Sequence, residues 1–188
     1  MQVNNSVTTN VIVPVLETER LYLRAFTPGD LDTYHAMSSD PNVVRYLQQD
    51  IVLSRELAWQ SLAYLLGHWQ MTGFGSWAVE EKTSGQLIGR VGLYAPLGWP
   101  EIELGWMIAR SHWQQGFAFE AAQAAMSWCE RQADKQQLIS LIHPKNIPSI
   151  NLAAKLGARF IQEIKTEEFK TLQFAFDLQK SSGTLNAK

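Results

Sequence analysis

The chain has 188 residues, of which 46% are hydrophobic, and a formal net charge of −2 at pH 7. This apolar content supports a buried core and excludes an intrinsically disordered chain, and the length suits one domain. Lysine and arginine are scattered, which argues against a nucleic-acid-binding protein. No apolar run reaches the roughly 18 residues of a membrane span, and the N-terminus lacks a secretory signal pattern. A lone cysteine, Cys129, cannot form an internal disulfide, so we expect a cytoplasmic protein without a membrane partner.

Strand and helix patterns alternate along the chain. In chain order they predict a strand at 19–26, a helix from Thr27 to Pro41, a helix at 54–71, strands at 76–81, 86–94 and 101–108, a helix at 116–132, a strand at 138–142, a helix from Pro148 to Gly157, and strands at 158–165 and 169–178. This order predicts a mixed α/β (α+β) fold with a mostly antiparallel central sheet and about four helices. The helix at 116–132 is the central crossover.

Both ends of the chain differ in composition from the middle. Residues 1–15 are polar and rich in Asn and Thr before a short Val/Pro run, and residues 179–188 read QKSSGTLNAK. We predict a flexible lead at 1–15, a single domain at 16–178 and a flexible tail at 179–188.

Two predicted elements have faces of contrasting character. The helix at 54–71 carries a row of large apolar residues: Leu57, Leu62, Leu65, Leu66 and Trp69. The strand at 101–108 alternates, with one face formed by Ile102, Leu104, Trp106 and Ile108 and the other by Glu101, Glu103, Gly105 and Met107. Carboxylates are therefore expected on the face that points away from the strand's apolar side.

The segment after this strand has the features of an anion site. The strand ends near Ala109, a short loop contains Gly116, and a helix with small residues follows directly. A helix N-terminus offers unpaired N–H groups and a partial positive charge, and glycine lets the backbone approach a phosphate. The same pattern also occurs in an ordinary strand-to-helix turn, so it does not by itself decide the chemistry.

Three ordered sequence blocks give a more specific indication. WQQGFAFEA at 113–121 resembles the pyrophosphate loop of the GNAT acetyltransferases, in particular the ribosomal-protein N-terminal acetyltransferase (RimJ/RimL-type) branch. HPKNIPSINLAAKLGARF at 143–160 and the opening ETERLYLR at 17–24 resemble two further blocks of that branch. The resemblance covers roughly residues 17–178.

Four positions depart from the pattern of the branch or of the wider family. Trp113 stands where the general loop motif has Gln or Arg, as is normal for this branch, and Gln114 replaces a glycine. Ala153 falls where many members have a tyrosine that serves as the general acid, and Ala158 replaces a phenylalanine.

The resemblance implies a GNAT-type fold and acetyl-CoA as cosubstrate, without a metal. The fourth and fifth predicted strands, 101–108 and 138–142, would splay apart and hold acetyl-CoA between them. The implied cofactor-binding residues are the strand backbone and the loop together with one asparagine: Met107, Ile108, Ala109, Gln114, Gln115, Gly116, Phe117, Ala118, Phe119 and Asn146. Asn146 is equally compatible with a helix cap before Pro148.

The implied chemistry is direct attack of an amine on the thioester. Glu103 is the candidate base, although it could be an ordinary solvated strand carboxylate. Ser149 is a candidate for contact with the departing thiolate, and it could equally satisfy the first turn of its helix. The acceptor pocket is expected from residues 27–60 and the loop 94–100, where Trp99 could line it.

Three functions stay open at this point. The chain could acetylate a protein N-terminal α-amine, or instead a small amine, amino acid or aminoglycoside. It could also be a CoA-binding regulatory protein that has lost catalysis, an idea that Ala153 permits and Glu103 opposes. The resemblance leaves a homodimer open.

Overall fold

The computed structural model describes residues 11–47, 51–99, 101–132, 137–165 and 170–177. Its strands are β1 (Leu16–Glu17), β2 (Leu21–Arg24), β3 (Ser76–Glu81), β4 (Leu87–Tyr94), β5 (Ile102–Ile108), β6 (Leu138–Ile142), β7 (Arg159–Lys165) and β8 (Lys170–Phe176). Its α-helices are α1 (Leu31–Ser38), α2 (Pro41–Val44), α3 (Arg55–Thr72), α4 (Phe117–Arg131) and α5 (Ile147–Lys155).

All eight strands form one sheet with the order β1-β2-β3-β4-β5-β6-β8-β7. Neighbouring strands are antiparallel except for β5 and β6, which are parallel and are joined through α4. A parallel pair needs a long crossover, and α4 supplies it. The predicted mixed, mostly antiparallel fold is therefore confirmed.

The parallel pair separates soon after it begins. Cross-strand partners are limited to Ile102 with Leu138 and Glu103 with Ile139. Beyond them the buried Ser140 hydroxyl donates to the Leu104 carbonyl at 2.6 Å and takes the place of a backbone bond. The space between residues 104–108 and 140–142 is called the β5–β6 gap below.

Helices cover the two faces of the sheet unequally. Helix α4 packs through Phe117, Ala121 and Ala125 against the apolar side of β5, in one buried cluster with Leu104 and Ile108. Helices α1 and α3 form a second cluster with Met107 on the opposite side, which is the side of Glu103 and is called the Glu103 face below. Met107 joins this cluster, whereas Gly105 and Glu103, on the same side of β5, lie outside it.

The buried face of α3 differs from its predicted face. Ala58, Leu62, Leu65 and Trp69 are buried at spacings of four, three and four residues. Leu57 and Leu66, which were expected beside them, are 45% and 37% exposed. An α-helical stripe is narrow, and each of these leucines lies one position off its line.

Two short elements were not predicted. Pro41 ends α1 as expected, but it also begins α2, because the Asp40 carboxylate accepts from Asn42 N–H and caps the new helix. Strand β1 adds a two-residue edge to the sheet through the pair Leu16 and Leu23.

Residues 11–15, which were assigned to the flexible lead, make contacts with the domain. The Trp77 indole N–H donates to the Pro14 carbonyl at 2.8 Å, and Val11 exchanges two hydrogen bonds with Gln70. Residues 1–10 and the tail 179–188 lie outside the described residues, so the domain limits stay a prediction. In the described part of the chain, no helix is both long and apolar enough to cross a membrane.

Candidate active site

The turn from β5 into α4 has an unusual backbone. Gly116 precedes the helix with φ +84°, and Gln114 has φ +59°, a left-handed value that favours glycine. The first intrahelical bond runs from Glu120 N–H to the Gly116 carbonyl. Among the described residues, the N–H groups of Phe117, Ala118 and Phe119 therefore have no acceptor and point out of the helix start.

A charged network fixes this turn from behind. The Glu120 carboxylate accepts from the Thr18 hydroxyl at 2.6 Å, from Arg20 N–H at 2.8 Å and from Arg20 Nε at 2.7 Å. Arg20 Nη1 in turn donates to the Gln115 carbonyl at 2.9 Å. Burial favours a higher pKa for Glu120, but the bonds from Thr18 and Arg20 outweigh it and lower the pKa. The network joins the opening of the chain to the loop.

Backbone groups line the β5–β6 gap from the β5 side. Ala109 N–H is bonded to the Ile88 carbonyl of β4, so alternation directs the groups of Trp106 and Ile108 toward the gap. The Trp113 indole N–H donates a hydrogen bond to the Ile108 carbonyl at 2.7 Å. Of the three predicted backbone positions, Ile108 faces the gap, whereas Met107 and Ala109 face β4.

Glu103 lies where the two strands part. Its carboxylate accepts from the Trp99 indole N–H at 3.0 Å and from the backbone N–H of Leu141 on β6. Burial raises its pKa to about 7, against these two bonds and the positive charge of Arg90. A carboxyl group with this pKa can accept and release a proton near neutral pH.

Aromatic rings extend from Glu103 along the sheet. Tyr94 is the cross-strand partner of Glu103, meets Trp99 edge-on at 5.3 Å and stacks on His68 at 5.6 Å. The His68 ring is fixed because Nε2 accepts from Ala95 N–H, so the proton lies on Nδ1 beside the Phe74 carbonyl. Trp99 thus lies on this face beside Tyr94 and His68, and its place in the acceptor pocket stays a prediction.

Ser149 and Asn146 lie at the start of α5. Asn146 caps the helix, because its side-chain oxygen accepts from Ser149 N–H at 3.3 Å. The Trp106 indole donates to the Ser149 hydroxyl oxygen at 3.1 Å, which links β5 to α5 and leaves the hydroxyl proton available. Ala153 is fully buried with Ile142 and Phe174, so its position offers no group to the gap.

Comparison with known families decides the identity. The family model described as the acetyltransferase (GNAT) domain matches residues 20–159. The chain belongs to the GNAT family of acetyltransferases. It is accordingly an acyltransferase, and the loop, the parting strands and Glu103 occupy the matched region.

This GNAT chain has relatives among bacterial proteins. It is 29% identical over 155 residues to the uncharacterized protein YkkB of Bacillus subtilis, covering 80% of this chain and 88% of the relative. A crystal structure of the acetyltransferase from Agrobacterium tumefaciens superposes with a TM-score of 0.78 at 26% identity, covering 88% of this chain and 95% of that one.

The fold is also that of RimL, a ribosomal L7/L12 α-N-protein acetyltransferase solved with coenzyme A. The TM-score is 0.76 at 16% identity, and the match covers 89% of this chain and 99% of the RimL chain. At this identity the likeness concerns the fold.

The sequence did not reveal three members of this GNAT site. Arg90 and Tyr94 lie on the Glu103 face of β4, and Trp106 presents its backbone to the gap. Strand register, which a single sequence does not supply, brings Tyr94 opposite Glu103. Among the described residues, no group of histidine, cysteine and carboxylate side chains could hold a metal.

Proposed function

We propose that this protein transfers an acetyl group from acetyl-CoA directly to a primary amine, with Glu103 as the general base. The position of Glu103 at the parting of β5 and β6, with a pKa of about 7, carries the proposal. The amine nitrogen attacks the thioester carbon, the C–S bond breaks, and the amine proton passes to Glu103 directly or through one water.

The residues of the gap and loop fit acetyl-CoA. The N–H groups of Trp106 and Ile108 face the gap beyond the last β5–β6 pair. They suit the amides of the pantetheine arm and the negative charge that develops on the thioester oxygen. The N–H groups of residues 117–119 suit the pyrophosphate, since they lie at a helix N-terminus behind Gly116. The Ser149 hydroxyl can donate to the departing thiolate sulfur.

The adenosine end of the cosubstrate would extend along α4. A groove of about 610 Å³ follows the exposed side of this helix and is lined by Arg20, Gly116, Phe119 and Lys155 among others. Lys155 lies over the Phe119 ring at 4.3 Å, which holds its ammonium beside the loop. Glu19 and Glu120 also line the groove and Arg20 is paired with Glu120, so Lys155 is the cation that suits a phosphate of the ligand.

Two classes of acceptor amine are candidates. A protein N-terminal α-amine is suggested by the RimJ/RimL-type sequence blocks and by the shared fold with RimL. A small amine, such as an amino acid or an aminoglycoside, is the alternative. Arg90 favours an amino acid, because its Nε has no hydrogen-bond partner in the part of the chain that the structure describes. A CoA-binding protein without catalysis is disfavoured, since Glu103 retains a base-like environment.

The first experiment is titration calorimetry with acetyl-CoA and CoA, with NADH as the control ligand. We expect micromolar binding of acetyl-CoA and CoA and none of NADH. An absence of acetyl-CoA binding would refute the proposal.

An amine panel then tests transfer, with release of the CoA thiol as the readout. We expect Glu103→Gln to bind acetyl-CoA normally and to lose turnover with every amine. Unchanged turnover in this variant would remove Glu103 from the mechanism, and turnover by no amine would favour the non-catalytic alternative.

A further inference from the structure

Arg90 lies on the Glu103 face of β4, and the proposed transfer step gives it no role. The Glu103 face of β4 and β5 is built from three cross-strand pairs: Arg90 with Met107, Gly92 with Gly105, and Tyr94 with Glu103. The middle pair has no side chains. An added Cβ at Gly105 would meet no atom within 4 Å, whereas one at Gly92 would collide with the backbone of Gly75 and Ser76, so the open space lies above Gly105 alone.

The guanidinium of Arg90 has no partner among the described residues. Its Nε is buried without a hydrogen bond. Burial raises the pKa values of both Glu103 and Tyr94, and the positive charge of Arg90 opposes that rise at each. The guanidinium therefore lies within electrostatic range of Glu103, on the same side of the sheet.

A second arginine in the same row of the sheet differs from Arg90, because its guanidinium is fully engaged in hydrogen bonds within the fold. Arg24 on β2 is paired with Ala78, which in turn pairs with Arg90. The Arg24 guanidinium donates to Glu80 at 2.6 Å, to both Asp30 oxygens at 2.8 Å and to the Ala25 carbonyl. A buried guanidinium nitrogen left without an acceptor costs free energy. Since Nε of Arg90 is closed to solvent, an anion would meet this guanidinium through its Nη atoms.

We propose that Arg90 binds a carboxylate of the acceptor, so that the acceptor is an amino acid that carries its amine toward Glu103. This inference rests on the proposed acetyl transfer and names its substrate class. The planar fork of an arginine matches a carboxylate in two-point contact. The Arg90 and Glu103 pairs lie two steps apart, about 14 Å along the strands, and both long side chains span part of that distance, so an α- or β-amino acid fits between them above Gly105.

The test compares matched acceptors that differ only in the carboxylate. Each amino acid of a panel is assayed beside its carboxamide and its decarboxylated amine, and kcat/KM is measured from release of the CoA thiol. We expect at least one amino acid to exceed both neutral analogues by about tenfold or more. Equal or higher kcat/KM for the neutral analogues, or preference for a peptide N-terminus, would overturn the inference.

Variants of Arg90 separate binding of the acceptor from tuning of Glu103. In Arg90→Met we expect the ratio of kcat/KM for the amino acid to kcat/KM for its neutral analogues to fall to about one. Loss of the Arg90 charge also raises the pKa of Glu103, but this lowers the rate for every acceptor by the same factor and cancels from the ratio. Arg90→Lys should restore part of the advantage because it keeps the charge. If Arg90 acted only on Glu103, all acceptors would lose kcat/KM by one factor and the ratio would stay as in the wild type, which would contradict the proposal.

A matched control is available at the far edge of the sheet. Arg159 on β7 is exposed and lies 3.6 Å from Asp177 in an ion pair, so Arg159→Met should leave all acceptors unchanged. The two proposals also fail differently. Acetylation of amines without preference for a carboxylate removes only the role of Arg90, whereas an absence of acetyl-CoA binding removes both.

Discussion

Glu120 and Glu103 lie at opposite ends of the candidate site, and their surroundings are opposite in kind. Glu120 accepts three hydrogen bonds from Thr18 and Arg20, and its pKa is lowered. Glu103 accepts from two neutral N–H groups and has no ion pair among the described residues, and burial raises its pKa to about 7. A carboxylate with several hydrogen bonds and an ion pair holds the loop in place. A buried carboxyl group without an ion pair has a raised pKa and can take part in proton transfer near neutral pH.

The largest expected effect is the loss of the proposed base. Glu103→Gln keeps the shape and the bond from Trp99 but cannot accept a proton, so we expect kcat/KM to fall by about 100- to 10,000-fold. In the wild type, kcat/KM should rise with pH around an apparent pKa of about 7, because the base must be ionised. Steady-state rates between pH 5.5 and 9 measure both.

Glu163→Gln on β7 is the matched control, since this carboxylate only pairs with the exposed Lys165 and Lys170. If the control fell as far as Glu103→Gln, or if the wild-type profile were flat near pH 7, the assignment of the base would be wrong.

The next effect concerns the loop that the Glu120 network supports. Gly116→Val places a side chain where the phosphates would lie, so we expect acetyl-CoA affinity to drop by about 100-fold or more. The added Cβ lies 3.4 Å from Nη2 of the flexible Arg20 side chain, but φ of +84° strains a valine, so we also expect lower stability. Titration calorimetry gives the affinity, and circular dichroism confirms the fold.

Gly85→Val is the control for the backbone strain that a valine causes at a positive φ. Gly85 also has a positive φ, +66°, but it lies in the β3–β4 turn with open space around it. It should lower stability without changing affinity. Equal affinity of Gly116→Val and the wild type would contradict the assignment of the loop.

Much of this fold followed from sequence, and the reasons differ by residue. Alternation in 101–108 placed Glu103 and Leu104 on opposite faces of the strand. Gly157 ends α5 with φ +87°, as its position suggested. The outer leucines of α3 were misassigned because apolar character alone does not define a stripe. Arg90 could not be found, because strand register and the positions of the other charges decide whether its Nε has a partner among the described residues.

Glu120 should be the more important of the two glutamates for stability. Glu120→Gln removes the charge from three hydrogen bonds, so we expect unfolding to become easier by about 2–3 kcal/mol at pH 7. Because folding lowers the pKa of Glu120, its contribution is present above the ordinary carboxyl pKa and is lost as pH falls through the folded value. Urea unfolding at pH 7 and pH 3 measures this.

The opposite sign is expected at Glu103. Its pKa is about 7 in the folded protein and near 4.5 when unfolded, so stability falls as pH rises between these values. Glu103→Gln should therefore be more stable than the wild type at pH 8, by up to about 2 kcal/mol, and equal to it at pH 4. A less stable variant at pH 8 would show that the carboxylate is paired rather than desolvated.

The smallest effect sharpens the comparison within the loop itself. Gln114 holds a left-handed φ of +59°, a conformation that costs a side chain roughly 1 kcal/mol and glycine nothing. Gln114→Gly relieves this cost but gives the unfolded chain more freedom, so stability should change by less than about 1 kcal/mol. Acetyl-CoA affinity should change little too, because Arg20 still holds the Gln115 carbonyl. In the double variant with Glu120→Gln that restraint is weakened, and the glycine should then lower affinity more than the two single changes predict together. Additive effects in this double-mutant cycle would mean that the network does not hold the loop.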